Sequence, residues 1–276
     1  MKLAAIIRDT FREALARKTI IGFFAVSTFF LVIALITALA TDVANLMPQS
    51  SVQIGTPDGA RVMTIADIAI AMQAALTSLL HLAALFLSIF ATAGILPNML
   101  ERGSIDLLLS KPVSRLEILA GKYLGGLLIV AANVTYYVSG MFLIMSLDTG
   151  FWNWGFLTVI LPVTFSFAVL WSAMLPLGLA SRSSALTIIL MYAFLYFIAP
   201  LLYSREMFLF QFLTNENLQG LITGLYYILP KPGAMSDLAV AMVAGHAIDW
   251  MPVWSTALFA AAMIALAVWM FRRRDC

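Results

Sequence analysis

The sequence predicts an all-α integral membrane protein with six transmembrane helices. Of its 276 residues, 62% are hydrophobic and only 11% are charged, whereas about a quarter of the residues in a soluble domain carry charge. Several apolar runs reach the length of about 20 residues that a helix needs to cross a bilayer. Lys and Arg (16) nearly balance Asp and Glu (14), so the chain has no basic stripe typical of a nucleic-acid-binding protein.

The first span follows a charged N-terminal stretch and ends at Ala38-Leu39-Ala40, which also resembles a signal-peptidase site. We favour an uncleaved span, because its 21 residues exceed the apolar core of about 7–15 in a signal peptide. The predicted spans are Ile20–Ala40, Ile68–Leu96, Leu124–Leu147, Gly155–Leu179, Ala185–Tyr203 and Val253–Phe271.

The distribution of basic residues predicts that both termini are cytoplasmic. Thirteen of the 16 Lys and Arg residues fall in the N-terminal segment, in residues 98–122, in the turn 181–184 or in the C-terminal tail. Cytoplasmic loops of membrane proteins carry such an excess. Four tryptophans fall at the opposite, outer ends, as an interfacial aromatic belt requires: Trp152, Trp154, Trp250 and Trp254.

Residues 204–252 are too apolar for a plain loop, but Pro230, Pro232 and the Asn215-Glu216-Asn217 run interrupt them. Short interfacial or re-entrant helices on the outer side fit this pattern best. A further pair of spans is the alternative.

Ionisable groups are scarce inside the predicted spans, where only His81 lies well within one. Ion-coupled carriers need such groups at membrane depth, so a proton-coupled carrier using His81 is an alternative with little support. An intramembrane enzyme or scaffold using His81 and the outer His246 is another. We regard His81, Asn133 and Tyr136 as candidates for a translocation path, although such polar residues more often form hydrogen bonds between helices. No metal site is predicted.

The sequence contains no nucleotide-binding loop that could energise transport. Gly121-Lys122-Tyr123 is similar to the end of a phosphate-binding loop, but that motif requires Gly at position 116 and Ser or Thr at position 123. Position 116 is Leu. If ATP drives this protein, another polypeptide must hold the nucleotide.

The polar segment at residues 98–122 predicts two short helices around a proline. Ser104 can cap the first helix, which must end before Pro112. Ser114 and Glu117 form a capping box that opens a second helix leading into the third span. Such a rod could transmit displacement into the membrane, although the same pattern also fits a well-capped intracellular loop.

This segment resembles the one between the second and third helices of ABC-2-type permeases, most closely the branch of the nitrous-oxide-reductase maturation transporter. The resemblance rests on Glu101-x-Gly103-Ser104, on the run from Leu107 to Arg115, and on Leu119-x-Gly121-Lys122-x-Leu124-Gly125. In that family the segment is a coupling helix that docks on the ATPase subunit. The resemblance implies that the residues contacting the ATPase are Glu101, Gly103, Ser104, Leu107, Leu108, Ser110, Lys111, Pro112 and Arg115.

The resemblance also implies the partners. We expect a single transmembrane domain over residues 1–276 that pairs with a second permease copy, identical or paralogous, and with two ATPase subunits. ATP and Mg²⁺ are expected on those subunits, and no cofactor is expected in this chain. The expected location is the bacterial inner membrane, with an extracytoplasmic accessory protein as a further candidate partner. The transported substrate is not implied.

The N-terminal segment, residues 1–19, predicts an amphipathic helix in the cytoplasmic interface, similar to the elbow helix of those permeases. A non-specific membrane anchor is the alternative. The apolar face carries Leu3, Ala4, Ile7, Phe11, Ala14 and Leu15, and the charged residues opposite or flanking it include Arg8, Arg12, Glu13 and Arg17.

Overall fold

The computed structural model describes residues 2–16, 18–41, 52–56, 59–63, 65–95, 114–213 and 215–273. In these ranges the chain forms six helices long and apolar enough to cross a membrane, which confirms the predicted all-α membrane fold. The helical spans are Ile20–Ala40, Ala66–Thr92, Leu116–Thr149, Trp154–Ser181, Ser184–Tyr203 and Met251–Arg272.

The first two helices lie on either side of a tight turn. Helix α1, Lys2–Ala16, is followed by α2, Thr19–Thr41, which contains the first span. Lys18 adopts a left-handed φ of 58°, and its backbone N–H donates to the Leu15 carbonyl. This bond satisfies one carbonyl of the last turn of α1 and lets the chain change direction before it enters the first span.

A two-stranded hairpin precedes the second span, α3, Ile65–Thr92, and was not predicted. Strands β1, Val52–Thr56, and β2, Gly59–Met63, pair antiparallel with Thr56 opposite Gly59. The sequence between them, Pro57-Asp58, continued by Gly59, is a common turn signature between apolar runs. The all-α prediction is therefore correct for the spans and incomplete for this connection.

The third span, α4, is a single helix of 35 residues, Arg115–Thr149, about 50 Å long. It packs against α1, α2 and the fourth span. Gly126 gives room for the indole of Trp171 in the fourth span, because a Cβ there would lie 3.1 Å from that ring. The buried Trp171 Nε1 donates to the Tyr123 carbonyl at 3.0 Å, so the close contact leaves no orphaned indole donor.

The fourth, fifth and sixth spans complete the bundle. A 3₁₀ helix, Trp154–Val159, leads into α5, Ile160–Ser181, on which the sixth-span helix α11, Met251–Arg272, packs. The fifth span combines α6, Ser184–Ala193, a π-helical turn, Phe194–Ile198, and α7, Ala199–Tyr203. Tyr192 in this span stacks on Phe86 of α3 with ring centroids 4.6 Å apart.

Three short helices connect the fifth and sixth spans: α8, Leu209–Phe212, α9, Glu216–Ile228, and α10, Pro232–Ala244. Helices α9 and α10 have 13 residues each, about 20 Å, which is too short to cross a hydrocarbon core of about 30 Å. Helix α9 has no buried residue, whereas α10 inserts into the bundle against α3 and buries Met235, Leu238, Ala239 and Val243. This arrangement fits short re-entrant or interfacial helices rather than a further pair of spans.

Candidate coupling and translocation sites

Most of the predicted ATPase contacts lie outside the described residues, and the structure begins again at the end of that segment. Arg115 is the first residue of α4. Outside the described ranges are Glu101, Gly103, Ser104, Leu107, Leu108, Ser110, Lys111 and Pro112.

The predicted capping box is present at the start of α4. The backbone N–H of Ser114 donates to Oε2 of Glu117 at 2.7 Å, and the backbone N–H of Glu117 donates to Oγ of Ser114 at 3.2 Å. Two orphan donors of the first helical turn are therefore satisfied, and the Glu117 charge lies near the positive end of the helix dipole. The capping box therefore determines where α4 begins within the predicted coupling segment.

Helix α1 docks on the N-terminal half of α4 through two glycines one turn apart. A Cβ added at Gly121 would lie 2.5 Å from Cγ2 of Ile6, and one at Gly125 would lie 2.8 Å from Cβ of Thr10. Small residues spaced by four allow such close approach of two helices. Gly121 and Gly125, which belong to the motif that resembles the family, therefore form the surface on which the N-terminal helix packs.

A buried ion pair fastens the same contact. Nζ of Lys122 lies 2.5 Å from Oε2 of Glu13, with side-chain exposures of 2% for Lys122 and 29% for Glu13. A buried cation is tolerated when it is paired and hydrogen-bonded. Sequence reasoning considered Lys122 only as part of a motif and missed this partner, which lies 109 residues away.

The buried face of α1 covers only part of the apolar face predicted from the sequence. Ile6, Thr10 and Ala14 are buried, whereas Leu15 is 48% exposed. Leu15 of the predicted apolar face is therefore left uncovered, whereas Phe11 of the same face packs against the core. Arg8 and Arg12 are exposed, and Arg17 lies outside the described residues.

Two of the three candidate path residues contact the first span. Oγ of Ser27 donates to Oδ1 of Asn133 at 2.9 Å, while the hydroxyls of Thr28 and Tyr136 lie 3.0 Å apart. Asn133 is 3% exposed, and Tyr136 is 40% exposed. Both residues therefore make the interhelical hydrogen bonds that polar groups usually make in membranes.

His81 faces a different part of the bundle. Its side chain is 2% exposed, and neither ring nitrogen has a hydrogen-bond partner within the described ranges. It lines a cavity of about 220 Å³ with Tyr203 of the fifth span and with Gly233 and Ser236 of α10. His246 is exposed beyond the opposite end of α10, so the two histidines do not share a site.

The second span separates the candidate residues into two cavities. Asn133 belongs to a cavity of about 170 Å³ between the first three spans, which Leu80 and Ala83 line from α3. The His81 cavity takes Ser78 and Leu82 from the opposite face of the same helix. The arrangement does not bring His81, Asn133 and Tyr136 into one cavity of this protomer, and their role in a translocation path stays a prediction.

An amide network that the sequence analysis missed joins α3, the start of the fourth span and α10. Nδ2 of Asn153 donates to Oε1 of Gln73 at 2.8 Å and to the Val243 carbonyl at 3.1 Å. Oδ1 of Asn153 accepts from the Gly155 N–H at 3.1 Å and caps the 3₁₀ helix. The sequence analysis assigned Trp152 and Trp154 to the interfacial belt and gave no role to Asn153, which lies between them.

A second missed cluster surrounds Lys231 at the turn between α9 and α10. Its Nζ donates to Oγ of Ser255 at 2.6 Å and to the Tyr227 carbonyl at 3.2 Å. The Arg205 guanidinium lies 3.9 Å from the centroid of the Tyr226 ring. Burial, with a smaller contribution from the charge of Arg205, lowers the pKa of Lys231 to about 8. Lys231 in this turn and Arg205, which follows α7, therefore share a partly desolvated, aromatic environment.

The comparisons with known proteins agree with this architecture. A family model described as ABC-2 family transporter protein matches residues 4–276. The search of curated proteins returned no match. The part of the chain that the structure describes has six helices apolar and long enough to cross a membrane, as expected for a multi-pass permease. Because the match covers nearly the whole sequence, the chain belongs to the ABC-2 transporter family and is a membrane permease subunit of an ABC transporter.

Proposed function

We propose that this chain pairs with a second permease copy and is driven by two separate ATPase subunits that dock on residues 101–122. ATP and Mg²⁺ bind to those subunits, and closure of the ATPase pair displaces the coupling segment. The displacement tilts the spans and opens a path at the interface between the two permease copies. The expected direction is export, or transmission of motion to an extracytoplasmic accessory protein.

The observation that carries this proposal is the continuity of α4. The helix begins at Arg115, directly after the Ser114 N-cap, and runs without interruption to Thr149. Gly121, Lys122 and Gly125 fasten α1 to its first turns. A force applied before Ser114 would therefore move the third span and the N-terminal helix together, because α4 is unbroken and α1 is packed directly on its first turns.

Two other observations support the proposed location and lineage. The excess of basic residues at the ends of α1, α4 and α11 supports cytoplasmic termini in a bacterial inner membrane. The likeness of the 101–125 motif supports a place in the branch of the nitrous-oxide-reductase maturation transporter. The cargo is not specified by either observation.

The proposal is tested by co-purification and by ATP hydrolysis. We expect the chain, expressed with the ATPase encoded beside it, to purify as a complex and to hydrolyse no ATP alone. Glu101→Ala should weaken the complex or separate hydrolysis from transport, whereas Glu216→Gln, exposed on the outer helix α9, should change neither.

Two outcomes would overturn the proposal. Flux driven by a pH gradient in liposomes containing only this chain would favour a proton-coupled carrier. An enzymatic activity that is present without any ATPase and is lost in His81→Ala would favour an intramembrane enzyme.

A further inference from the structure

A groove of about 400 Å³ lies between the fourth, fifth and sixth spans. Every residue that lines it is apolar, and its walls come mainly from α5, α6 and α11. Two of the lining residues, Leu190 and Leu266, are 43% and 41% exposed. The groove is therefore open along its side, where it offers lipid tails a surface as apolar as they are.

The length of the groove matches one leaflet of a bilayer. On α11 its wall consists of Phe259, Met263, Leu266 and Met270, whose spacing of three or four residues places them on one face of the helix. Met270 lies eleven residues after Phe259, about 16 Å along the helix. Half of a hydrocarbon core of about 30 Å is about 15 Å. The groove therefore has the length that one acyl chain of a phospholipid occupies.

Both long helices that form the groove end in an exposed arginine. Arg182 follows α5, and Arg273 follows α11 three residues after Met270, on the face that lines the groove. The fourth and sixth spans run in the same direction, because one span separates them, so both arginines lie on the same side of the membrane. Two guanidinium charges exceed the partial charge of about −0.5 at each helix C-terminus. This end of the groove is therefore positively charged.

The arginines have the surroundings of a membrane–water interface. The Arg273 guanidinium lies 4.4 Å from the centroid of the Trp269 ring, which is 51% exposed. Trp, and the long basic side chains near helix ends, concentrate at the level of the lipid headgroups. Among the described residues, neither Arg182 nor Arg273 forms an ion pair with a carboxylate. Phosphate is an anion that arginine binds well, because its guanidinium can donate two parallel hydrogen bonds.

The opposite end of the groove keeps its cations out of reach. Pro230 lines this end, and the next residue, Lys231, donates to Oγ of Ser255, one turn before the first groove residue of α11. Lys231 is 3% exposed, so a headgroup has no access to its ammonium group. Arg205 of the same cluster is already paired with Glu206. A negatively charged headgroup is therefore favoured at the other end.

We propose that this groove binds an anionic phospholipid, with one acyl chain along α11 and its phosphate at Arg182 and Arg273. The apolar walls hold the acyl chain, and the two arginines select the headgroup by its charge. The lipid contacts three spans at once and stabilises their packing. The site does not depend on the proposed docking of ATPase subunits.

The test uses two photoreactive phospholipids with the same diazirine-bearing acyl chain, one a phosphatidylglycerol, which is anionic, and one a phosphatidylcholine, which is zwitterionic. The full protein is reconstituted in lipid nanodiscs without ATPase or ATP, illuminated, and mapped by mass spectrometry. We expect phosphatidylglycerol to label the groove residues of α5, α6 and α11 in preference to phosphatidylcholine. Excess unlabelled phosphatidylglycerol should compete, whereas inorganic phosphate, which lacks the acyl chain, should not.

Two variants test the headgroup contacts. Arg182→Gln and Arg273→Gln should each reduce the preference for phosphatidylglycerol about fivefold, the effect expected for one basic residue near an anionic lipid. Arg8→Gln removes an exposed arginine from α1, away from the groove, and should leave the preference unchanged.

A third variant tests the position of the acyl chain. Leu266→Trp fills the groove from its exposed rim and should abolish labelling of the groove by both lipids. Leu258→Trp is the matched control, because Leu258 is 72% exposed on the same helix and lies outside the groove.

Equal labelling of the groove by both lipids, or an unchanged preference in folded Arg182→Gln and Arg273→Gln proteins, would exclude the headgroup site. Competition by inorganic phosphate would indicate an ion site that needs no lipid. Labelling that persists in Leu266→Trp would place the acyl chain outside the groove. If neither lipid labels the groove, another protein surface, such as a second copy of the permease, covers it, and the proposal is overturned.

Discussion

Nζ of Lys122 donates to Oε2 of Glu13 across 2.5 Å and thereby joins the third span to the N-terminal helix. The two side chains differ in exposure, at 2% for Lys122 and 29% for Glu13. Solvent can therefore compensate the carboxylate if its partner is removed, but it cannot reach the ammonium group.

This asymmetry predicts that Glu13→Gln destabilises the protein more than Lys122→Met does. Removing one partner of a buried pair costs about 3–5 kcal/mol when the other charge stays buried, which applies to Glu13→Gln. The thermal midpoint in detergent measures the effect, and Asp9→Asn, exposed on the same helix, is the control. A larger loss in Lys122→Met than in Glu13→Gln would contradict the assignment.

Gly125→Ala should detach α1 from the third span. The added Cβ would lie 2.8 Å from both Cβ and Cγ2 of Thr10, so one helix must move. We expect faster hydrogen exchange of the α1 amides. Gly22→Ala is the matched control, since no atom lies within 4 Å of its added Cβ and Ala is favoured over Gly inside a helix by about 0.5–1 kcal/mol. Equal exchange in both variants would refute the close contact.

Asn153→Ala should loosen α10 from the bundle. The substitution removes the donor to Gln73, which is fully buried, and to the Val243 carbonyl. Leaving a buried acceptor unpaired costs about 1–3 kcal/mol, so the thermal midpoint should fall and exchange should increase in α10. Asn217→Ala, in the exposed first turn of α9, should have little effect. Unchanged exchange in α10 would show that the network does not hold this helix.

Because the pKa of Lys231 is lowered in the folded protein, we expect the free energy of unfolding to rise between pH 7 and pH 9.5. Its pKa is about 8 in the folded protein, against 10.5 for an unperturbed lysine, so between these values the unfolded chain binds one more proton than the folded chain. Stability increases with pH wherever the unfolded state binds more protons. Burial raises the pKa of the neighbouring Tyr226, which stays neutral in this range. The thermal midpoint of the native protein should rise, and Lys231→Met should lack that increment; an identical rise in the variant would exclude Lys231 as its source.

The spans could be predicted because hydrophobicity and length alone determine them. Each of the six predicted runs falls within or close to a helix of the structure, and Ser114 with Glu117 could be predicted as a capping box because that motif is local. The ends of the third span were set too far inward, at Leu124 rather than Leu116. The helix itself was correctly predicted to open at the Ser114 capping box; only the apolar run was counted from Leu124, because Lys122 interrupts it, and the structure buries Lys122 against α1.

Long-range pairings could not be predicted from local patterns. Glu13 and Lys122 are ordinary charged residues in sequence, and only the docking of α1 brings them together. Asn153 likewise gains its role from α10, whose position depends on packing rather than on composition. The hairpin at Val52–Thr56 and Gly59–Met63 did carry a turn signature in the sequence, but its short strands lack the length and hydrophobicity that make the spans conspicuous.

The π-helical turn Phe194–Ile198 has a consequence for how the fifth span is built. The N–H of Ala199 donates to the carbonyl of Phe194, five residues earlier, so this turn holds one residue more than an α-helical turn. The residues beyond it are rotated by about 100° relative to an uninterrupted helix, which places the Tyr203 ring over Gly233. Deleting a single residue here would restore a regular helix and turn Tyr203 away from α10. The fifth span therefore consists of two helical registers, and the extra residue keeps its C-terminal end aligned with α10.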